Sequence, residues 1–261
     1  MSTTGTTGPA AWLASLRGDR LRFAELEGAD VGAPVAPCPG WTLADLLAHL
    51  GLVHRMAGRM IATPPGAEVP KATERPPEPE ARLEWVTAGL AELIGALEDA
   101  DPATPCRRWS GDTDVRWWLR RQAHETAIHR WDAEVAAGRE PTPIDGALAA
   151  DGVEEWLALQ LVRGVRIPDD LRGSIHLHAT DVPPGSHPDD SPGAEGGEWV
   201  VRLDARLTWD HSHSKGDLAV RGSREQLLLA CWGRIDLAQL ETFGDPGLWD
   251  RLLTALRTAD V

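Results

Sequence analysis

The chain contains no tyrosine, two phenylalanines and three cysteines, and its only lysines are Lys71 and Lys215. No tyrosyl acid, base or nucleophile is therefore available, and Schiff-base or lysine–phosphate chemistry has almost nothing to work with. Cys38, Cys106 and Cys231 are odd in number, far apart and without a CxxC pair, so no disulfide framework is expected. Positive charge is also scarce. Against 40 acidic residues stand 26 basic ones, a formal net charge of -14. The nearest approaches to a basic run are Arg107-Arg108 and Arg120-Arg121. Such a surface repels a phosphate backbone or an anionic membrane. No apolar run approaches the roughly 18 residues of a membrane span, and Met1 to Gly8 lacks the charged and apolar regions of a signal peptide. The expectation is a cytoplasmic protein, a monomer or homodimer, with a small-molecule substrate and with neither nucleic acid nor membrane as partner.

What the chain does have is 42% apolar residues over 261 positions, and twelve tryptophans. That suffices for one large or two modest cores. Up to about residue 165 the pattern is helical. Ala10 to Glu27 carries apolar residues at a rough helical period. Thr42 is a candidate N-cap with Asp45 in the first turn, for a helix from Leu43 to about Ile61. A proline-rich stretch from Pro64 to Glu80 reads as a loop. Helices are then predicted over Arg82–Leu97, Asp114–Ala137 (closed by Gly138 and Pro141) and Ile144–Val162. After Pro168 the texture alternates. Ser174–Asp181 and Glu198–Trp209 read as strands, with a mobile Pro/Gly/Asp-rich loop, Val182–Gly197, between them. A strand over Asp217–Gly222, a helix from Arg224 capped by Ser223, a strand near Leu240–Phe243 and a helix over Pro246–Arg257 complete the reading. The predicted fold class is α plus α+β: a helical bundle over residues 9–165 followed by a small α+β domain over 170–258.

One constellation could carry chemistry. Glu125 and His129 are four apart on the fourth helix and share a face, which also holds Trp118, Gln122 and Asp132. Two such donors bind one metal ion if a third comes from another helix. The second helix offers His49, the polar member of the stripe Leu46, His49, Val53 and Met56. By spacing alone a surface salt bridge or a core hydrogen bond is the plainer reading of the Glu–His pair. Asp132, one turn beyond His129, is a candidate acceptor for a ligand imidazole or a plain helix-end carboxylate. His124, offset by one from Glu125, is a weak fourth-ligand candidate. His54 lies about 140° around the helix from His49 and is expected to be partly exposed. His176 and His178 share a strand face, as do His211 and His213, and solvated strand faces are the plainer reading there. Cys38 reads as a packing thiol.

The segments Cys38-Pro-Gly-Trp41-Thr-Leu-Ala-Asp45-Leu-Leu-Ala-His49 and His124-Glu125-Thr-Ala-Ile-His129-Arg-Trp131-Asp132 resemble the mycothiol-dependent maleylpyruvate isomerase family of DinB-like metalloenzymes. His178-Ala-Thr-Asp181, Glu198-Trp199, Val220-Arg221-Gly222 and Leu227-Leu-Leu-Ala-Cys-Trp232-Gly-Arg234 are similar to its sterol-carrier-like second domain. The resemblance spans about residues 10–257. It implies a DinB-like four-helix bundle and His49, Glu125 and His129 as ligands of a divalent metal, usually zinc, with mycothiol as thiol cosubstrate. It further implies a metal-activated thiolate that is transferred to a small electrophile, or that adds to a conjugated double bond, allows rotation and leaves as the other isomer. Arg221 and Arg234 are the catalytic-site candidates of the second domain, as grips for a carboxylate or the thiol cofactor, with ordinary solvated arginines as the alternative. Two His and one Glu also suit Fe²⁺, Ni²⁺ or Mn²⁺. Two other functions stay open at this point: a non-catalytic carrier of an apolar ligand, and a hydrolase in which the metal activates water.

Overall fold

A computed structural model describes residues 7–162, 166–182 and 197–258. These fall into two compact units that divide between Thr142 and Pro143.

The first unit holds α1 (Pro9–Ala24), α2 (Leu43–Ile61), α3 (Arg82–Asp99) and α4 (Val115–Ala136), with a hairpin of β1 (Pro105–Arg108) and β2 (Gly111–Asp114) between α3 and α4. Local chemistry sets the ends of the two site-bearing helices. Thr42 and Asp45 form a reciprocal capping box at the start of α2, so two of its first-turn N–H groups are satisfied. Asp114 caps α4 by accepting from the Trp117 N–H at 2.9 Å. Gly138 follows α4 with φ +69, the left-handed conformation that ends helices at little cost in glycine. Helix α1 packs on α3 and α4, and α2 packs on the same two. Gly51 of α2 lies under the Trp85 ring, where a Cβ would come within 2.3 Å of ring carbon. The α2–α3 approach therefore depends on the missing side chain. Arg130 of α4 is buried and joins three segments: its Nε donates to Asp19 of α1 at 3.0 Å, and its Nη1 to Glu134 at 2.7 Å and to the Thr142 carbonyl. The hairpin is absent from the sequence reading. Its strands are four residues long, too short for a period-2 signal.

The second unit contains α5 (Gly146–Val162), β3 (Gly173–Ala179), β4 (Glu198–Leu203), β5 (Leu207–Asp210), β6 (Leu218–Gly222), α6 (Arg224–Cys231), β7 (Glu241–Gly244) and α7 (Gly247–Thr258). The sheet order is β5-β4-β3-β6-β7, antiparallel except for the parallel β3–β6 pair. Ile175, Leu177, Trp199, Val201, Leu203, Leu218 and Val220 are buried on one face, and α6 packs on β3 and β6. The opposite face carries His176, His178, Glu198, Arg202 and Arg221, in register across β4, β3 and β6.

Two expectations change here. The fifth helix, read from the sequence into a bundle reaching residue 165, belongs with the mixed unit instead. Its apolar face (Leu148, Val153, Trp156 and Leu157) is buried there, Trp156 stacks on Trp249 of α7, and Glu225 of α6 accepts the Ile144 N–H at 2.7 Å. A helical period shows that a face is buried, not against what. Second, Glu198–Trp209 is not one strand but a hairpin turning at Asp204–Arg206. Leu203 pairs with Leu207 and Val201 with Trp209, so the alternation survives the turn. The turn contains neither Gly nor Pro and so left no mark in the sequence. Of the Val182–Gly197 loop, residues 183–196 lie outside the described residues.

Candidate metal centre

Glu125 and His129 face the same way from successive turns of α4, and α2 brings His49 to them. His49 Nε2 lies 3.1 Å from Glu125 Oε1, and His129 Nε2 lies 3.5 Å from the same oxygen. The His49 and His129 ring centres are 5.3 Å apart. One donor atom from each of the three side chains thus converges within 4.8 Å of the others. His129 presents Nε2 because its Nδ1–H donates to Asp132 at 2.9 Å. Asp132 is therefore the imidazole's acceptor, not a helix-end carboxylate. The second Glu125 oxygen is taken by the Arg121 guanidinium, one turn back. Trp41, in the turn before the Thr42 cap, packs its ring 5.1 Å from that of His49.

The electrostatics suit a cation. Burial on its own would raise the Glu125 carboxyl. Arg121 and the two imidazoles outweigh burial and hold the group well below the usual carboxylate range, so it is ionised. Burial opposes the charged form of His129, but its hydrogen bonds to Asp132 and Glu125 outweigh that and raise the imidazole above its ordinary value. A divalent ion binds neutral imidazole, and would take the place of that proton. Two imidazole nitrogens and one carboxylate oxygen, with a carboxylate behind one imidazole, form a donor set that fits zinc or a related divalent ion.

The remaining sequence candidates sort clearly. Cys38, read as a packing thiol, places its sulfur within 4.8 Å of donor atoms of both His129 and Asp132. His124 is buried and does not join the cluster. His54, expected to be partly exposed, is fully buried: Nε2 meets Thr126 Oγ1 at 3.1 Å and Nδ1 meets no partner. Because α2 packs on two helices, its buried arc centres on Leu43, Leu47, Leu50, His54 and Ala57. The Leu46–His49–Val53–Met56 stripe runs along the rim of that arc, with the His49 side chain 35% exposed. This is why His49 can serve a solvent-accessible site while His54 cannot. Arg221 and Arg234 belong to the mixed unit. Arg221 donates to Glu241 at 2.7 Å, and Arg234 donates to the Trp232 carbonyl at 2.8 Å with its guanidinium over the Trp232 ring. Burial raises the Cys106 thiol to about 11 and pushes Cys231 up further, so both are inert as nucleophiles. Among the described residues no helix is long and apolar enough to cross a membrane.

A helical unit with a two-His, one-Glu cluster on facing helices, followed by an α+β unit, defines a two-domain class with a candidate metal centre in its helical unit. Family comparison makes this specific. The mycothiol maleylpyruvate isomerase N-terminal domain matches residues 12–134, and the corresponding C-terminal domain matches residues 147–251. The chain belongs to the mycothiol-dependent maleylpyruvate isomerase family. A crystal structure of the mycothiol-dependent maleylpyruvate isomerase aligns with a TM-score of 0.61 at 16% identity, covering 93% of this chain and 95% of that one. A histidine-to-alanine mutant of that enzyme aligns with a TM-score of 0.60 at the same identity and coverage. At this identity the likeness concerns the fold. No curated protein matches the sequence.

Proposed function

We propose that this protein is a metal-dependent enzyme that uses mycothiol to isomerise a small electrophilic substrate of the maleylpyruvate type, or to transfer the thiol to such a substrate. The observation that carries the reading is the convergence of His49, Glu125 and His129 on one point in a chain of this family. These three residues would hold the ion, with zinc the best match to the donor set. When bound, such an ion lowers the pKa of a thiol and so makes thiolate available at neutral pH.

The chain's own residues prepare that site. Asp132 holds the Nδ1–H of His129 and so fixes which nitrogen is offered. Arg121 neutralises one oxygen of Glu125 and leaves the other turned toward the imidazoles. The Thr42–Asp45 box anchors the start of the helix carrying His49. None of these groups is a nucleophile, which agrees with a reaction whose thiol comes from a cosubstrate. Arg221 and Arg234 are proposed to bind an anionic group of the substrate or cosubstrate, because a guanidinium suits a carboxylate in bidentate fashion.

The test is turnover of maleylpyruvate by the metal-loaded protein with and without mycothiol, together with metal analysis. Thiol-dependent turnover, lost along with the metal in His49→Ala, is expected. Turnover independent of mycothiol would mark a hydrolase, and a co-purified apolar ligand with no turnover would mark a carrier. Either outcome would displace this reading. Arg221→Lys and Arg234→Lys should raise KM for the anionic partner while leaving metal content unchanged.

A further inference from the structure

The polar face of the sheet holds a second convergence of metal-binding side chains. Strand alternation puts His176 and His178 on one face of β3, and the β3–β4 register sets Glu198 directly across from His178. The segment after β5 brings His213 over the same spot. The Glu198 carboxylate is 4% exposed and receives all three imidazoles: His176 Nε2 on Oε2, His178 Nδ1 on Oε1 at 2.6 Å and His213 Nδ1 on Oε1 at 3.0 Å. Ring centres are separated by 5.3 Å (His176–His213), 5.9 Å (His176–His178) and 6.2 Å (His178–His213). One donor atom from each of the four side chains lies within 4.8 Å of the others. The backbone is held on the same spot, because His211 Nδ1 donates to the Glu198 carbonyl at 2.9 Å while its Nε2 pairs with Glu154 of α5 at 2.8 Å.

A carboxylate this buried needs a compensating charge or hydrogen bonds. Three imidazoles supply hydrogen bonds, and each turns its contacting ring nitrogen to the same small volume beside the carboxylate. Three imidazole nitrogens and one carboxylate oxygen are the donor set of a four-coordinate zinc-type ion. In such a site donors sit about 3.4 Å apart, given metal–ligand distances near 2.1 Å. The four donor atoms here lie within 4.8 Å of one another, and the three imidazole nitrogens already contact the Glu198 carboxylate. His213, at 67% side-chain exposure, opens the spot to solvent. All four ligands would come from the protein, so the site would be closed and structural. It would tie the segment carrying His211 and His213 to β3 and β4.

We propose that His176, His178, Glu198 and His213 form a second, structural binding site for a divalent transition-metal ion of the zinc class in the mixed unit. This proposal does not depend on the function of the centre in the helical unit, and its test removes that centre first. The full chain carrying His49→Ala and His129→Ala is stripped with chelator and titrated with Zn²⁺, and in parallel with Co²⁺ as an absorbing probe. One equivalent should bind, with the absorption of a four-coordinate nitrogen-rich site for Co²⁺ and a rise in Tm of the mixed unit for Zn²⁺. Adding His178→Ala and His213→Ala should abolish the equivalent, the absorption and the Tm rise. Because His178 is half-buried and its loss could disturb the sheet, His213→Ala alone provides a second reading on an exposed residue. It should weaken Zn²⁺ binding at least tenfold with unchanged circular dichroism. Absence of the equivalent in the protein lacking His49 and His129 would overturn the proposal, as would undiminished affinity for it in the variants lacking His213.

Discussion

His54 provides a quantitative test of the helical core. Its side chain is fully buried, with one hydrogen bond to Thr126 and no partner for Nδ1. Burial dominates its surroundings and pushes the imidazole pKa from 6.5 down to about 3. The folded pKa is thus depressed below the unfolded value. As pH falls below 6.5 the unfolded chain takes up a proton that the folded chain refuses until about pH 3, so stability drops through this window. The limiting slope is about 1.4 kcal/mol per pH unit, and between pH 7 and pH 4.5 the integrated loss is on the order of 2–3 kcal/mol. That is a large part of the 5–15 kcal/mol expected for a domain, to order of magnitude. The perturbation is His54→Phe, of similar volume and without a proton to bind; the Thr126 hydroxyl can turn to its own helix backbone. Urea unfolding of wild type and variant at pH 7 and 4.5, followed by circular dichroism, isolates the difference, since every other titrating group is common to both. Wild type should lose on the order of 2–3 kcal/mol more than the variant over this range. Equal losses would refute the assignment of a neutral, desolvated imidazole at this position. A steeper loss in the variant would reverse its sign.

Two further changes probe the same unit. Asp132→Asn should weaken metal binding at the His49–Glu125–His129 centre by roughly 10–100-fold, because the carboxylate that orients His129 through Nδ1 is lost; competition with a chelating dye measures it. Arg130→Ala should destabilise the unit by about 3–5 kcal/mol in urea unfolding, since it strands the buried carboxylates of Asp19 and Glu134. Asp19, which burial already pushes up to about 6, should then rise further, and more of the loss should appear above pH 6 than at pH 4.

What could be read directly from the chain was whatever depends on neighbours along it. Thr42 with Asp45 marked the start of α2, and Gly138 marked the end of α4, because caps act within one turn. Glu125 and His129 could be paired because a helix repeats every 3.6 residues, and His176 with His178 because a strand repeats every two. Whatever depends on partners distant in sequence was decided by packing. His49 reaches Glu125 across 76 positions. His54, five residues from His49, went to the core because two helices close over its side of α2. The fifth helix carried a buried face that suited either unit, and only its contacts with α6 and α7 settled the matter. The His176–His178–Glu198–His213 cluster required both the β3–β4 register and a hairpin with no turn signature. Periodicity states which side of an element is buried or polar. Which side chains meet there is set by how the elements pack, and both candidate metal sites are products of that packing.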